Sequence, residues 1–297
     1  MPLPPLPTYA EKDWGALSMA QDKTVDAFFV SSLNEALQQL KNISGLSVLA
    51  GCTTCPSYCD GTKIKLPPSV LFVKYVPELQ AIARKERFIE FGSAVTLNAI
   101  LDLGKNRIPS FFYDAVASVA FHNVRNLATL GGNICKGDHK MSLYSPLLAM
   151  DAVLEFKSYA ETKRIAMSKF TGVPDKFLLT KIHIPVEDWS TAYFKRLGPA
   201  YKMNELSVSY TFLADTSKGN IGDIRAAFCG PLAVRSRELE NSVIGSRLPL
   251  GERDIESFLE KAAEVYEQKK QQSEKPVAPI LKEQYLNLLH RSLKRLT

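Results

Sequence analysis

Apolar residues recur along this chain with two different periods. Leu33, Ala36, Leu37 and Leu40 stand at the spacing of one helix face, behind Ser31 and Ser32, which supply an N-cap. The pattern predicts a helix of about ten residues. Leu46 to Ala50 (LSVLA) reads as a short buried strand that ends at Gly51, and Ser69 to Tyr75 (SVLFVKY) as a second strand after Pro67 and Pro68. PELQAI follows as a helical turn. Together these pieces predict a βαβ-like unit over residues 25 to 85.

Phe88 to Val95 alternates as a strand does, and Thr96 then caps a helix, LNAILDLG, closed by Gly104. Ser110 to Ala120 reads as a more apolar helix. FHNVRNLATLGGNICKGD carries few helix signals and is expected to be irregular. AVLEFKS, KFLLTKIHIP (Lys176 to Pro185), TAYFKRL, ELSVSYTFLAD and IRAAFCG read as strands. Helical spacing returns from Glu252, interrupted by the polar stretch QKKQQSEKPVAP. This order predicts an α+β protein of at least two lobes, with a smaller C-terminal domain from residue 190 onward.

Composition narrows the function classes. The 297 residues allow two or three subdomains, and 45% hydrophobic with 23% charged residues is ordinary for a globular chain. No apolar run approaches the roughly 18 residues of a membrane helix. Residues 1–23 read as a proline-stiffened arm and not as a signal peptide. Five cysteines, an odd number in a large chain, favour reduced thiols and a cytoplasmic protein. The net charge of +6 gathers partly at Lys269 and Lys270 and at Arg291, Lys294 and Arg295. Without a basic stripe interleaved with aromatics, this reads as solvated helix faces and not as a nucleic-acid surface. It also suits an acidic partner subunit or an anionic cofactor. No nucleophile elbow, Walker loop or H-E-x-x-H pattern occurs.

Two glycine-bearing stretches carry the candidate chemistry. In RNLATLGGNICKGD, Gly131 and Gly132 can adopt positive φ and turn their amides onto an anion, with Thr129 and Asn133 as flanking donors. A plain tight turn is the competing reading. In LAGCTTCPSYCDG, Ala50-Gly51 ends a buried strand, as a phosphate-binding turn would, while Cys52, Cys55 and Cys59 are spaced as C-x2-C-x3-C. With Cys135 these would make a four-thiolate metal site, with His139 a second candidate for the fourth ligand. Small reduced loop cysteines are the other reading. Cys229 reads as a small buried residue, and the four histidines (His122, His139, His183, His290) do not gather.

In order along the chain, VLAGCTT, KLPPSVLFVKYVPELQAI, IEFGSAVTLNAIL, VRNLATLGGNICKGD, SPLLAMDAVLEF, FLLTKIHIP and YFKR resemble the FAD-binding subunit of the molybdenum hydroxylases, the xanthine dehydrogenase and carbon monoxide dehydrogenase family. The resemblance runs along nearly the whole chain, from about residue 24 to the C-terminus. It implies a flavin fold of the vanillyl-alcohol-oxidase (PCMH) type at residues 24–187, with subdomains at 24–85 and 86–187, and a C-terminal α+β domain at 190–297. It implies FAD as cofactor, with one pyrophosphate loop at Val48, Leu49, Ala50, Gly51, Cys52, Thr53, Thr54 and Cys55, and a second at Thr129, Leu130, Gly131, Gly132 and Asn133. It further places Ser142, Leu178 and Lys195 at the cofactor. The implied partners are a molybdopterin-binding large subunit and a small subunit with [2Fe–2S] clusters, with electrons passing through FAD to an acceptor such as NAD. Neither nucleic acid nor membrane is an expected partner.

The chain departs from the family pattern in three places. Cys52 replaces a glycine, and is strained if its φ is positive. Ser142 replaces an aspartate and loses its charge. LGPAYKMNE follows Lys195 where polar residues such as Arg are usual. A flavin-free structural subunit and a cysteine-based metal or redox sensor are the alternatives these departures leave open.

Overall fold

The computed structural model describes residues 25–55, 59–60, 63–64, 66–137, 140, 142–199, 203–273 and 276–296. The chain opens with β1 (Asp26–Phe29) and α1 (Leu33–Asn42). The Ser32 hydroxyl accepts from Glu35 N, and Ala36, Leu37 and Leu40 are buried, as the spacing predicted. Next come β2 (Ser47–Leu49), the paired short strands β3 (Cys59–Asp60) and β4 (Lys63–Ile64), and β5 (Ser69–Phe72). β5 runs between β1 and β2, parallel to both. α2 (Pro77–Gln80) closes this first body, whose core joins α1 to Leu71, Leu79, Ala94 and Leu178. Strands β2 and β5 are shorter than their apolar runs because pairing ends together at Leu49 and Phe72.

The second body begins with β6 (Ile82–Arg84), which the apolar pattern did not reveal, and β7 (Phe88–Gly92). α3 (Leu97–Asp102) is capped by Thr96 as predicted, and α4 (Ser110–Ala117) follows. The stretch expected to be irregular instead forms α5 (His122–Arg125) and α6 (Leu130–Cys135). Tertiary burial outweighs the weak local signal: Leu130 and Ile134, four apart on one face, lie in the core. α7 (Tyr144–Ala149), β8 (Val153–Lys157), β9 (Thr162–Ala166) and β10 (Leu178–Pro185) complete this body. Its antiparallel sheet runs β6-β7-β10-β8-β9, and Phe91, Leu154 and Ile182 pack against Phe112 and Leu147 from the helices. A bulge between Leu179 and Lys181 lets Leu179 share that core with Ile182 and Ile184, while Leu178 faces the first body.

The third body is an antiparallel sheet of β11 (Thr191–Leu197), β12 (Val208–Ser217), β13 (Asn220–Cys229) and β14 (Ala233–Val234), followed by α8 (Arg237–Asn241), α9 (Glu252–Gln271) and α10 (Ile280–Leu293). Tyr210 and Phe212 pack with α9 and α10, while Leu213 packs with the second body. With both faces covered, β12 is buried without a break from Val208 to Ala214. Asp151 fastens the two bodies: it accepts from Arg235 at 2.6 and 3.1 Å and from Arg237 at 3.0 Å.

Candidate functional site

The chain leaves β2 through Ala50 and turns at once. Cys52 has φ +53°, and Cys55 N donates to Cys52 O at 3.1 Å, closing the turn. Cys52 thus adopts the left-handed conformation that favours glycine, which stores strain in the turn. The N–H groups of Gly51, Cys52 and Thr53 have no partner among the described residues. Successive free amides around a left-handed residue form an anion-receptive nest. Lys74 adds a cation near enough to Cys52 to act on its titration. Gly51 is required by close approach, since a Cβ there would lie 1.8 Å from Leu127 O.

The second glycine stretch works differently from its expected role. Gly131 and Gly132 lie inside α6, neither at positive φ, and the amides do not form a nest. Leu130 N donates to Val95 O, Gly131 N to Ser93 O, Gly132 N to the Thr129 hydroxyl and Asn133 N to Thr129 O, at 2.8 to 3.1 Å. Gly131 is there because a Cβ would meet Ser93 O at 2.7 Å. Gly132 faces outward, where a Cβ would meet only the Thr129 hydroxyl, at 2.9 Å. What this stretch can offer an anion is two buried side chains: Thr129, whose hydroxyl donates to no acceptor among the described residues, and Asn133.

The structure joins the two stretches. Residues 93–97 and 128–131 run side by side, through Leu97 N to Ala128 O at 2.9 Å and a Thr96–Thr129 bridge, and Gly51 packs on the Leu127 carbonyl. Val48 and Leu127 stay 38% and 46% exposed, which leaves apolar surface beside the free amides. Leu49 and Ala50 are half-buried, as are Thr53 and Thr54. Buried Ser142 comes to Asn133 through its neighbour, as Leu143 N donates to Asn133 Oδ1 at 3.3 Å. The Leu130 and Leu178 side chains point into cores, so only their backbones are open to a ligand. Lys195 stands exposed on β11 with no ion pair among the described residues. Sequence reasoning missed Ser93, the Leu127 peptide, Lys74 and Arg125. Only Arg125 left a signal, in the R-N pair before the glycines.

Among the described residues no three His, Cys, Asp or Glu side chains converge to hold a metal. The Cys59 side chain and His139 lie outside the described residues. Burial, with Cys55 beside it, pushes the Cys52 thiol up to about 11, and burial pushes Cys135 up to about 12. Both therefore stay protonated near neutrality. Cys135 packs against the core of the second body, and Cys229 is buried as predicted.

Between the second and third bodies lies a cleft of about 530 Å³, lined by Lys140, Thr171, Arg235, Arg237 and Lys269 together with Asp151. Asp151 neutralises part of the arginine charge. Lys140 and Lys269 have no carboxylate partner among the described residues.

Residues 23–187 match the family described as the FAD binding domain in molybdopterin dehydrogenase. The glyceraldehyde dehydrogenase medium chain of Sulfolobus acidocaldarius is 25% identical over 228 residues, 73% of this chain and 80% of that protein. The xanthine dehydrogenase FAD-binding subunit of Escherichia coli O157:H7 is 26% identical over 206 residues, 64% of this chain and 69% of its own. A 31% match over 197 residues to the rice protein probable aldehyde oxidase 3 covers 58% of this chain but 14% of that longer one. The carbon monoxide dehydrogenase structure from Hydrogenophaga pseudoflava superposes with a TM-score of 0.75 at 16% identity, covering 92% of this chain and 95% of that one. This likeness shows the fold, which is the expected PCMH-type α+β architecture with a C-terminal domain.

Proposed function

The chain belongs to the FAD-binding domain family of the molybdopterin dehydrogenases, and from that premise we propose that it is the electron-transferring flavoprotein subunit of a multi-subunit molybdenum hydroxylase. The observation that carries this reading is the run of free amides from Gly51 to Thr53, set beside Thr129 and Asn133. It fits a dinucleotide pyrophosphate: amides that approach closely, hydroxyl and amide side chains opposite, and a nearby cation. Cys52 does not spoil this fit, because the backbone keeps the glycine-like conformation.

When bound, FAD supplies electron exchange in single or paired steps, and the protein supplies its binding and orientation. Gly51, Cys52 and Thr53 would donate to the pyrophosphate, and Thr129, Asn133 and Ser142 would fix it from the second body. Lys195 would place a positive charge toward the ring. A large subunit with molybdopterin and a small one with [2Fe–2S] clusters would deliver the electrons, in the cytoplasm. The cationic cleft supports an anionic acceptor such as NAD. Domain boundaries near residues 85 and 187–190 fit three cores centred on the three sheets, although Ala94 and Leu178 join the first core and Leu213, Ala227 and Cys229 the second; the arm at residues 1–23 lies outside the described residues.

The test is titration of the flavin-free full-length chain with FAD, read by flavin absorbance and fluorescence. Saturable, stoichiometric binding is expected, and an absence of binding at large FAD excess overturns the reading. In the assembled complex, NAD reduction driven by the organic substrate checks the acceptor.

A further inference from the structure

Arg125, at the end of α5, makes four hydrogen bonds and none to a carboxylate among the described residues. Its Nη1 donates to the carbonyls of Ala117, Val119 and Ala120 at 3.2, 2.9 and 2.6 Å, and its Nε donates to Asn98 Oδ1 at 3.2 Å. Asn98 is 6% exposed. Its amide nitrogen donates to His122 O at 3.1 Å and to Asn126 Oδ1 at 2.5 Å. The guanidinium thus ties the end of α4 to both ends of α5 through one buried side chain. Ala120, whose carbonyl it holds, has φ +47°, a strained conformation that persists only where its surroundings over-determine it.

This clamp sits directly behind the place where the two glycine stretches meet. Leu127 N and Ala128 N both return to Val124 O within α5, at 3.0 and 2.8 Å, so the set of α5 fixes the Leu127 peptide. Gly51 rests on that peptide with no room for one added carbon. Two residues further on, Thr129 caps α6. The positions of the free amides and of Thr129 are therefore referred to one rigid point. Binding groups held in place before the ligand arrives lose less freedom on binding.

We propose that Arg125, acting through Asn98 and the Leu127 peptide, is a positioning residue for the cofactor site: it sets the separation of the Gly51 turn from the Thr129 cap. This rests on the reading of those loops as the FAD site. Arg is suited because its planar fork serves four acceptors at once, which the point charge of Lys cannot do.

The experiment titrates flavin-free full-length protein with FAD in wild type, Arg125→Met, Arg125→Lys and Asn98→Ala, with thermal melts of each. Leu289→Ala, in the C-terminal core, is the control for destabilisation alone. Arg125→Met and Asn98→Ala are expected to weaken FAD binding about tenfold or more, the size of one or two lost charge-assisted hydrogen bonds. Arg125→Lys should recover only part of that loss, and Leu289→Ala should lower the melting temperature without changing FAD affinity. Where Arg125→Met does not fold, Arg125→Lys and Asn98→Ala decide. Affinities within about twofold of wild type in both, or a loss in Leu289→Ala equal to theirs, overturn the proposal. Failure of the wild type itself to bind FAD defeats the cofactor reading instead.

Discussion

At Gly51 the chain leaves β2 with three successive amides that have no partner among the described residues, and the next residue lies at φ +53°. At Gly131 it is already inside α6, with every amide from Leu130 to Asn133 spent on the protein. Both glycines are required for close approach, one to Leu127 and one to Ser93. The residue type therefore says that the backbone passes near something, and not that its amides are free. Only hydrogen-bond accounting separates a phosphate turn from a packing contact.

The strongest way to break this comparison is Gly51→Val. Its Cβ would fall 1.8 Å from a backbone oxygen, so the turn must move. An overpacking cost of about 3 kcal/mol should weaken FAD about a hundredfold, read by titration. Retention within a few-fold of wild type would show that the free amides do not hold the pyrophosphate.

The glycine pair gives the next contrast. Gly131→Ala meets backbone and Cβ of Ser93 and should cost about 1–3 kcal/mol in thermal or denaturant unfolding. Gly132→Ala presses only on the Thr129 hydroxyl, at 2.9 Å, and should cost less stability than Gly131→Ala, with a modest loss of FAD affinity through the displaced Thr129. Equal damage from both would restore the nest that the structure denies to α6.

Asp151 tests how firmly the second body, which carries Thr129, is fastened to the third. Burial raises its carboxyl pKa, but Arg235, Arg225 and Arg237 outweigh that and hold it below the usual carboxylate range. A folded-state pKa below the unfolded one stabilises the protein at neutral pH, and that contribution disappears as pH falls below about 4 toward the folded value. Asp151→Asn should cost about 1–2 kcal/mol at pH 7, discounted for partial exposure, and less as the pH is lowered through that range. Melts compared across pH check it. A constant deficit at every pH would show that the ion pairs are not its source.

The smallest expected effect is Cys52→Gly. Releasing a side chain from positive φ should stabilise the chain by about 0.5–1 kcal/mol and keep FAD affinity. A lower melting temperature would mean that the thiol packing near Cys55 outweighs the strain.

Much of the fold was legible where local and tertiary preferences agree. Ser32 and Thr96 named their helices, and ELSVSYTFLAD read as a strand, which the structure places at Val208–Ser217. β6 and α6 were not legible. β6 has three residues and no alternation to detect, while α6 holds two glycines, poor helix formers carried by burial of Leu130 and Ile134. At the proposed site, the sequence singled out both glycine stretches, which the structure brings side by side, together with Thr129 and Asn133. It assigned the amides of Gly131 and Gly132 wrongly, because their acceptors, Ser93 and the Thr129 hydroxyl, are set by how the chain packs and turns.

By itself, then, the sequence determined the family, the order of elements and which short stretches come close to something. Those follow from motif spacing and from periodicity, which act within a few residues. The tertiary structure alone decided which amides stay free among the described residues, that Cys52 adopts a left-handed conformation, and that Arg125 joins α4, α5 and Asn98 behind the meeting point of the two stretches. Each of these depends on partners brought together by folding, and a hydrogen bond exists only where the packed chain places its acceptor.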